Sequence, residues 1–360
     1  MRSRHLCKWV SLISLAICVV IWATSPAALA ASKKPIVLKL SCWSPETGSE
    51  GRMGRWWGTE LEKRSNGEVR VDYYFAEALV KTMDSLPAVS TGIADVQFVA
   101  DGYFPSQLPL IGATHLLYQT PSGYVMGKAV AEMYETYPPF QKMMKDNNIK
   151  SVMIHPATEN VIASVKPIRS LEDLKGKKIR GMSLVNDAMK ILGATPVAIP
   201  LPEVYEALER GTIDAVSGIP YHNIHVFKLY EAAKYIIGPK MGCYATGGYY
   251  MNLDSWNRLP AHIKKIIDDL YAEHVDFYIN SINKTGESTT KALLAAKCEI
   301  YPLAPSEVER WKAKLVPGLY DDWISKMTKK GFPAKEIVET YQKLVQKYTP
   351  GDKYRSPFAK

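Results

Sequence analysis

From residue 35 onward, apolar positions run in short, partly alternating blocks, each closed by proline, glycine or asparagine. "PIVLKLSCW" (35–43) is β-branched and bounded by Pro45, which predicts a strand leading into a loop. The loop "SPETGSEGRMG" (44–54) opens a helix through "RWWGTELEKRSNG", stopped by Asn66 and Gly67. "EVRVDYYF" predicts a second strand, "KTMDSLPAVSTG" a short helix ending at Gly92, and "IADVQFVA" a third strand. This repeated strand–helix–strand rhythm predicts an α/β architecture with a largely parallel sheet.

The rhythm returns later in the chain. "AVSTGIADV" (88–96) and "ALERGTIDA" (207–215) share Ala-x-x-x-Gly-x-x-Asp, placing Asp95 and Asp214 at equivalent points between a helix and a strand. "TPVAIPL" precedes the second copy much as "VRVDYYF" precedes the first. Two lobes built alike and facing one another would produce this echo, although helix–Gly–strand is also a common device of α/β folds. The rest is patterned as helix, including a nearly forty-residue stretch from Pro260 to Cys298 that is long enough to run across both lobes. The tail from Thr349 is rich in Pro, Gly and Lys and reads as loose.

At the N-terminus, Arg2, Arg4 and Lys8 precede an uncharged apolar run from Trp9 to Trp22 and then Ala28-Leu29-Ala30. This is the pattern of a signal peptide over residues 1–30, cleaved before Ala31, and it assigns the chain to the periplasm. The run is shorter than the roughly 20 residues that span a bilayer, and no later stretch reads as transmembrane. Without the leader the 45 Lys and Arg fall to 42 against 36 Asp and Glu, a formal charge of +6 instead of +9. No basic block interleaved with aromatics is present, so nucleic acid is not expected as a partner. Cys42, Cys243 and Cys298 remain, far apart and odd in number, and read as buried thiols.

No GxSxG, HExxH, GxxxxGK[ST] or helix-opening GxGxxG occurs, which removes the commonest hydrolase, zinc-protease and nucleotide-binding signatures. His222 and His225 stand three apart but lack a third ligand at characteristic spacing. Aromatics with polar tips cluster in loops after strands: Trp43, Tyr103, Tyr221, Tyr244, Tyr249 and Tyr250. Each suits packing as well as ligand contact, but their placement favours a cleft at the carboxyl ends of strands. In "LKGKKIRG" (174–181) the lysines read as solvated, and Arg180, closing a short strand, as the side chain turned inward.

"RSLEDLKGKKIRGMS" and "AMKILGATPVAIPLPEVYEALERGTIDAV" resemble the periplasmic solute receptors of tripartite ATP-independent (TRAP) transporters. The resemblance is dense from 167 to 214 and looser from 35 to 300. It implies a two-lobed periplasmic-binding-protein fold, each lobe a mixed, mostly parallel sheet flanked by helices, with a long helix spanning both lobes. Lobe I is expected from 31–157 plus 244–283, and lobe II from 158–243 plus 284–360. The implied partners are a small organic anion and the TRAP membrane permease subunits, with a monomeric receptor, no enzymatic activity and no cofactor.

In that family the arginine after "KI" binds the ligand carboxylate, which here is Arg180. Asn160 stands where sialic-acid receptors carry a second arginine, so an amide is expected to assist without adding charge. The glutamates that hold a metal beside the oxo acid in some relatives are missing near Ser217 and Tyr244, and no metal is expected. The resulting expectation is a monocarboxylate receptor for an aromatic or bulky 2-oxo or amino acid. Arg180 and Asn160 hold its carboxylate, Trp43, Tyr103, Tyr221, Tyr244 and Tyr249 line the pocket, and His222 either touches the ligand or bonds across the hinge. The alternatives are a C4-dicarboxylate receptor and a periplasmic enzyme on the same scaffold.

Overall fold

A computed structural model describes residues 34–244 and 247–358, so the leader read at residues 1–30 lies outside the described residues. β1 (Ile36–Ser41) pairs in parallel with β2 (Val69–Tyr74) and β3 (Val96–Val99), and α1 (Ser49–Arg64) and α2 (Ser85–Ser90) lie between them in the chain. α3 (Gly123–Thr136), α4 (Pro138–Asp146) and β4 (Ile149–Ile154) follow. The chain then starts a second sheet with β5 (Asn160–Ser164), β6 (Lys178–Arg180), α5 (Leu184–Ile191), β7 (Thr195–Val197), α6 (Val204–Glu209) and β8 (Ala215–Pro220). α7 (Asn223–Val226) and β9 (Tyr235–Gly238) extend it, and β10 (Gly248–Asn252) returns to the first sheet. The C-terminal part contributes α8 (Leu253–Arg258), α9 (Ala261–Ala295), β11 (Glu299–Pro302), α10 (Pro305–Lys329) and α11 (Ala334–Tyr348).

The two sheets follow one plan. Their strand orders are β2-β1-β3-β10-β4 and β7-β6-β8-β5-β9-β11, and in each an antiparallel strand, β10 or β5, interrupts otherwise parallel pairing. The sequence echo has the same meaning in both. Asp95 Oδ2 accepts the backbone N–H of Lys39 in β1 at 2.9 Å, and Asp214 Oδ2 accepts that of Lys178 in β6 at 2.8 Å. Each aspartate thus ties the turn after a helix to the strand second from the edge of its own sheet.

Residues 155–159 and, among the described residues, 239–244 and Gly247 carry the chain between the sheets, and α9 runs alongside, packing on α1 and β4 and further on against α7 and β11. Its buried positions recur every three or four residues from Ile263 to Leu293, the stripe that a helix needs to stay packed along its length. None of the described helices is long and apolar enough to cross a membrane. α11 packs against α3, and α10 against α5. Cys42, Cys243 and Cys298 are buried and unpaired, as the spacing suggested.

The tail departs from its composition. Tyr354 accepts the N–H of Glu159 at 2.9 Å, Asn283 Nδ2 donates to the Lys353 carbonyl at 2.9 Å, and Lys353 Nζ meets Asp276 at 2.5 Å. Phe358 packs edge-on against Tyr221. Two aromatic anchors and backbone bonds to buried partners outweigh the Pro, Gly and Lys content that read as loose.

His274 locks α9 to the first crossing. Its Nε2 accepts the N–H of Ile154 at 2.9 Å while Nδ1 lies against the Tyr271 carbonyl, a pairing that needs a neutral ring with the proton on Nδ1. Burial pushes His274 down to about 4, and His115 and His155 likewise. Unfolded histidines bind protons from about pH 6.5, so between that pH and 4 the unfolded chain holds more protons and stability falls with acidification. Urea unfolding from pH 7 to 5 should show this loss, at most about 2 kcal/mol for each ring at pH 5. His274→Gln should be less stable at pH 7 but have a shallower slope; an unchanged slope would exclude His274 as a contributor.

Candidate functional site

A cavity of about 50 Å³ lies where the carboxyl ends of β1, β3, β6 and β8 meet the two crossings. Its floor and sides are apolar, from Trp43, Phe98, Ala100, Met182, Leu201 and Ile219. Arg180, the last residue of β6, forms part of the wall and is only 2 % exposed, whereas Lys175 and Lys178 are exposed and Lys177 is half-buried. Its Nε donates to the Ile199 carbonyl at 2.9 Å and its Nη2 to the Tyr103 hydroxyl at 2.7 Å. No carboxylate pairs with it among the described residues. Tyr103, in the turn after β3, also accepts the Leu201 N–H at 2.9 Å, so one phenol oxygen joins the ends of the two sheets.

The bend that opens this wall comes from β8. Gly218 is the extra residue where β5 and β8 change register, with φ of +71°, and a Cβ there would lie 2.8 Å from Val185 Cγ2. Only glycine meets both conditions without strain, and the bulge turns Ile219 and Pro220 toward the cavity.

Glu50, the second residue of α1, lies elsewhere on the same cavity wall and is 3 % exposed. Ser44 Oγ donates to its Oε2 and Asn223 Nδ2 to its Oε1, both at 3.2 Å, and His222 Nε2 stands 3.6 Å from Oε1. Burial pushes the Glu50 carboxyl up, but His222, whose Nε2 faces it from just beyond hydrogen-bond distance, and the nearby His155 outweigh it and hold the group well below the usual carboxylate range. His155 lines the cavity beside it, bonded through Nε2 to Ser49 Oγ at 2.8 Å.

Against known proteins, residues 41–326 match the model of the bacterial extracellular solute-binding proteins, family 7. The chain belongs to that family. A marine-metagenome TRAP solute-binding protein described as specific for aromatic acid ligands, solved with 3-hydroxybenzoate, is 27 % identical with a TM-score of 0.80. The match covers 87 % of this chain and 99 % of that one. The monocarboxylate 2-oxoacid-binding periplasmic protein of Nostoc sp. is 26 % identical over 79 % of both chains. The C4-dicarboxylate-binding periplasmic protein of Rhodobacter capsulatus is 28 % identical over 79 % of this chain and 85 % of its own.

The family's two-lobed α/β fold is the one the sequence predicts, and its members are transport receptors, not enzymes. Of the residues singled out from the sequence, Arg180, Trp43 and Tyr103 meet at the cavity. The others lie elsewhere. Asn160 is buried with its Oδ1 committed to the Tyr244 N–H at 3.0 Å, so it holds the second crossing and is not part of the wall. Tyr244 lines an adjoining cavity of about 10 Å³ that shares Met182 and Gly218 with the main one. Tyr221 points to Thr290 on α9, at 2.8 Å, and Tyr249 lies behind the wall, its hydroxyl on the Glu50 carbonyl at 2.9 Å and its ring edge-on to Phe98. His222 bonds Thr158 Oγ1 at 3.0 Å and reaches the cavity only through Glu50.

Glu50, His155 and Asn223 escaped the sequence reading. Their one visible signal is a polar residue within or beside an apolar block, as in "SVMIHP". Among the described residues, Glu50, His155 and His222 form the one group able to hold a metal, with donor atoms within 4.8 Å of one another. The buried Glu50 carboxylate facing Nε2 favours the tautomer with the ring proton there, in which the Thr158 hydroxyl, accepting the His222 backbone N–H, donates to Nδ1. That tautomer presents a donor to Glu50 and no lone pair to an ion. Exhaustive chelation should therefore leave the melting temperature unchanged, and a fall of several degrees restored by one divalent ion would make this trio a metal centre. Gly218→Ala should cost about 1–3 kcal/mol in urea unfolding from its backbone strain alone; a neutral result would show that the bulge relaxes.

Proposed function

We propose that this TRAP-type receptor binds an organic monocarboxylate with an aromatic or otherwise bulky apolar body, of the 2-oxo or amino acid kind, and delivers it to the membrane permease. The observation that carries this is Arg180. A guanidinium held out of water with only neutral acceptors is costly until an anion pairs with it, and no other Lys or Arg lines the cavity among the described residues. One cation calls for one carboxylate, and the Trp43, Phe98 and Leu201 surfaces suit an apolar body. The aromatic-acid specificity of the marine relative and the 2-oxoacid binding of the Nostoc relative support the same reading.

The free space of about 50 Å³ holds roughly four waters, so a ring-sized ligand requires the walls carried by the two sheets to separate. Met182, unbranched and shared with the adjoining cavity, is the lining side chain that yields most easily.

The test is calorimetric titration of the mature protein with the acids that raise its melting temperature in a screen of aromatic and aliphatic monocarboxylates, amino acids and dicarboxylates. Arg180→Ala should lose about 2–5 kcal/mol of affinity, and Arg180→Lys, which keeps charge but not the planar fork, should recover part of it. Unchanged affinity in Arg180→Ala would end the anchoring role, and a response to dicarboxylates alone would replace the monocarboxylate.

A further inference from the structure

The cavity holds two buried charges of opposite sign, Arg180 and Glu50, that do not pair with each other. We propose that Glu50 reads a second group on the ligand, a hydrogen-bond donor such as a hydroxyl or an ammonium, and that it excludes ligands presenting a second carboxylate there. This rests on the reading of Arg180 as the carboxylate anchor.

Three observations carry it. First, Glu50 is incompletely satisfied. An ionised carboxylate offers about four acceptor sites, and charge-assisted bonds close to about 2.7–2.9 Å. The protein's own donors, Ser44 and Asn223, stop at 3.2 Å, and His222 at 3.6 Å, so the pocket leaves accepting capacity for a partner that comes closer. Second, no Lys or Arg forms an ion pair with Glu50 among the described residues, and its place in the first turn of α1 favours the anion. Third, Glu50 belongs to the cavity wall, so that capacity is presented where a ligand sits. A ligand donor meets a waiting acceptor, whereas a second carboxylate meets a like charge in a poorly solvated space.

The competing role is a purely structural latch, in which Glu50 joins α1 to Asn223 and His222 at the start of α7. Such a latch would change stability for every ligand alike. Discrimination between ligands separates the two.

The experiment is titration of the full mature protein and its Glu50→Gln variant with matched acids. These are benzoate, its three monohydroxy derivatives and its three dicarboxylates, together with 3-phenylpropanoate and phenylalanine. In the wild type, at least one donor-bearing acid should bind tenfold or more tightly than its parent, and every dicarboxylate more weakly than benzoate. Glu50→Gln should shrink the donor advantage below threefold while shifting the parent acids less than threefold. Melting and circular dichroism report whether the variant folds; if it does not, the wild-type series alone decides. Parent acids bound as tightly as every donor-bearing derivative, or a preferred dicarboxylate, would overturn the assignment while leaving Arg180 as anchor. If no acid binds in an Arg180-dependent way, the monocarboxylate reading fails and this inference fails with it.

Discussion

β10 occupies a central place in the first sheet but follows the whole of β5 to β9 in the chain, and β5 enters the second sheet directly from β4. Each sheet therefore takes its one antiparallel strand from a chain that has just crossed from the other. The second crossing runs between two inner strands, β9 and β10, and the first runs from the edge strand β4 to the inner strand β5, and the carboxyl ends of the parallel strands of both sheets converge on them. His155, Ala157 and Gly247 of the crossings are themselves part of the cavity wall. A small rotation about these segments must then change the cavity's shape, so that ligand capture at the proposed site would be coupled to the relative position of the sheets without any separate lid. His274 on α9 and the anchored tail at Tyr354 brace the first crossing from outside.

Within that frame the fold keeps two charges buried and apart. The usual remedy for a buried charge is an opposite one at contact, and Arg180 and Glu50 are near enough to share a cavity, yet each is met by neutral groups. Such arrangements lower the stability of the empty protein and survive where function needs them.

What could be read from the sequence divides along the same line. Asp95, Asp214 and the inward turn of Arg180 were legible because each is a local matter: a helix end, a tight turn, one short strand. The two-lobed plan and the family followed from the resemblance carried by motifs between 167 and 214, and the Ala-x-x-x-Gly-x-x-Asp echo is consistent with the plan. The pocket lining was not, because period-2 alternation says that neighbours such as Tyr249 and Tyr250 face opposite ways but not which face meets the cavity. Tyr249 turned out to support Phe98 from behind, and Tyr250 to bond Asp101 at 2.6 Å. Glu50 was hidden for the opposite reason. An acid in the first turn of a helix is ordinarily a solvated one, and its burial is imposed by His155 and Asn223, which arrive 105 and 173 residues later through the crossings.

Tyr103 explains how a lone arginine stays poised without being neutralised. Its oxygen accepts from Arg180 Nη2 and from the Leu201 N–H, which uses both lone pairs and leaves the phenol proton with no acceptor among the described residues. Arg180 Nη1 is likewise without a hydrogen-bond partner there. A carboxylate arriving at this corner would meet two unspent donors, one charged and one neutral, already fixed in direction by bonds they make elsewhere. An aspartate in place of Tyr103 would hold the guanidinium as firmly, but it would neutralise the charge and compete with the ligand for the same donors. A hydroxyl orients the cation while leaving its charge unmet, which suits the proposed role of binding and releasing an anion.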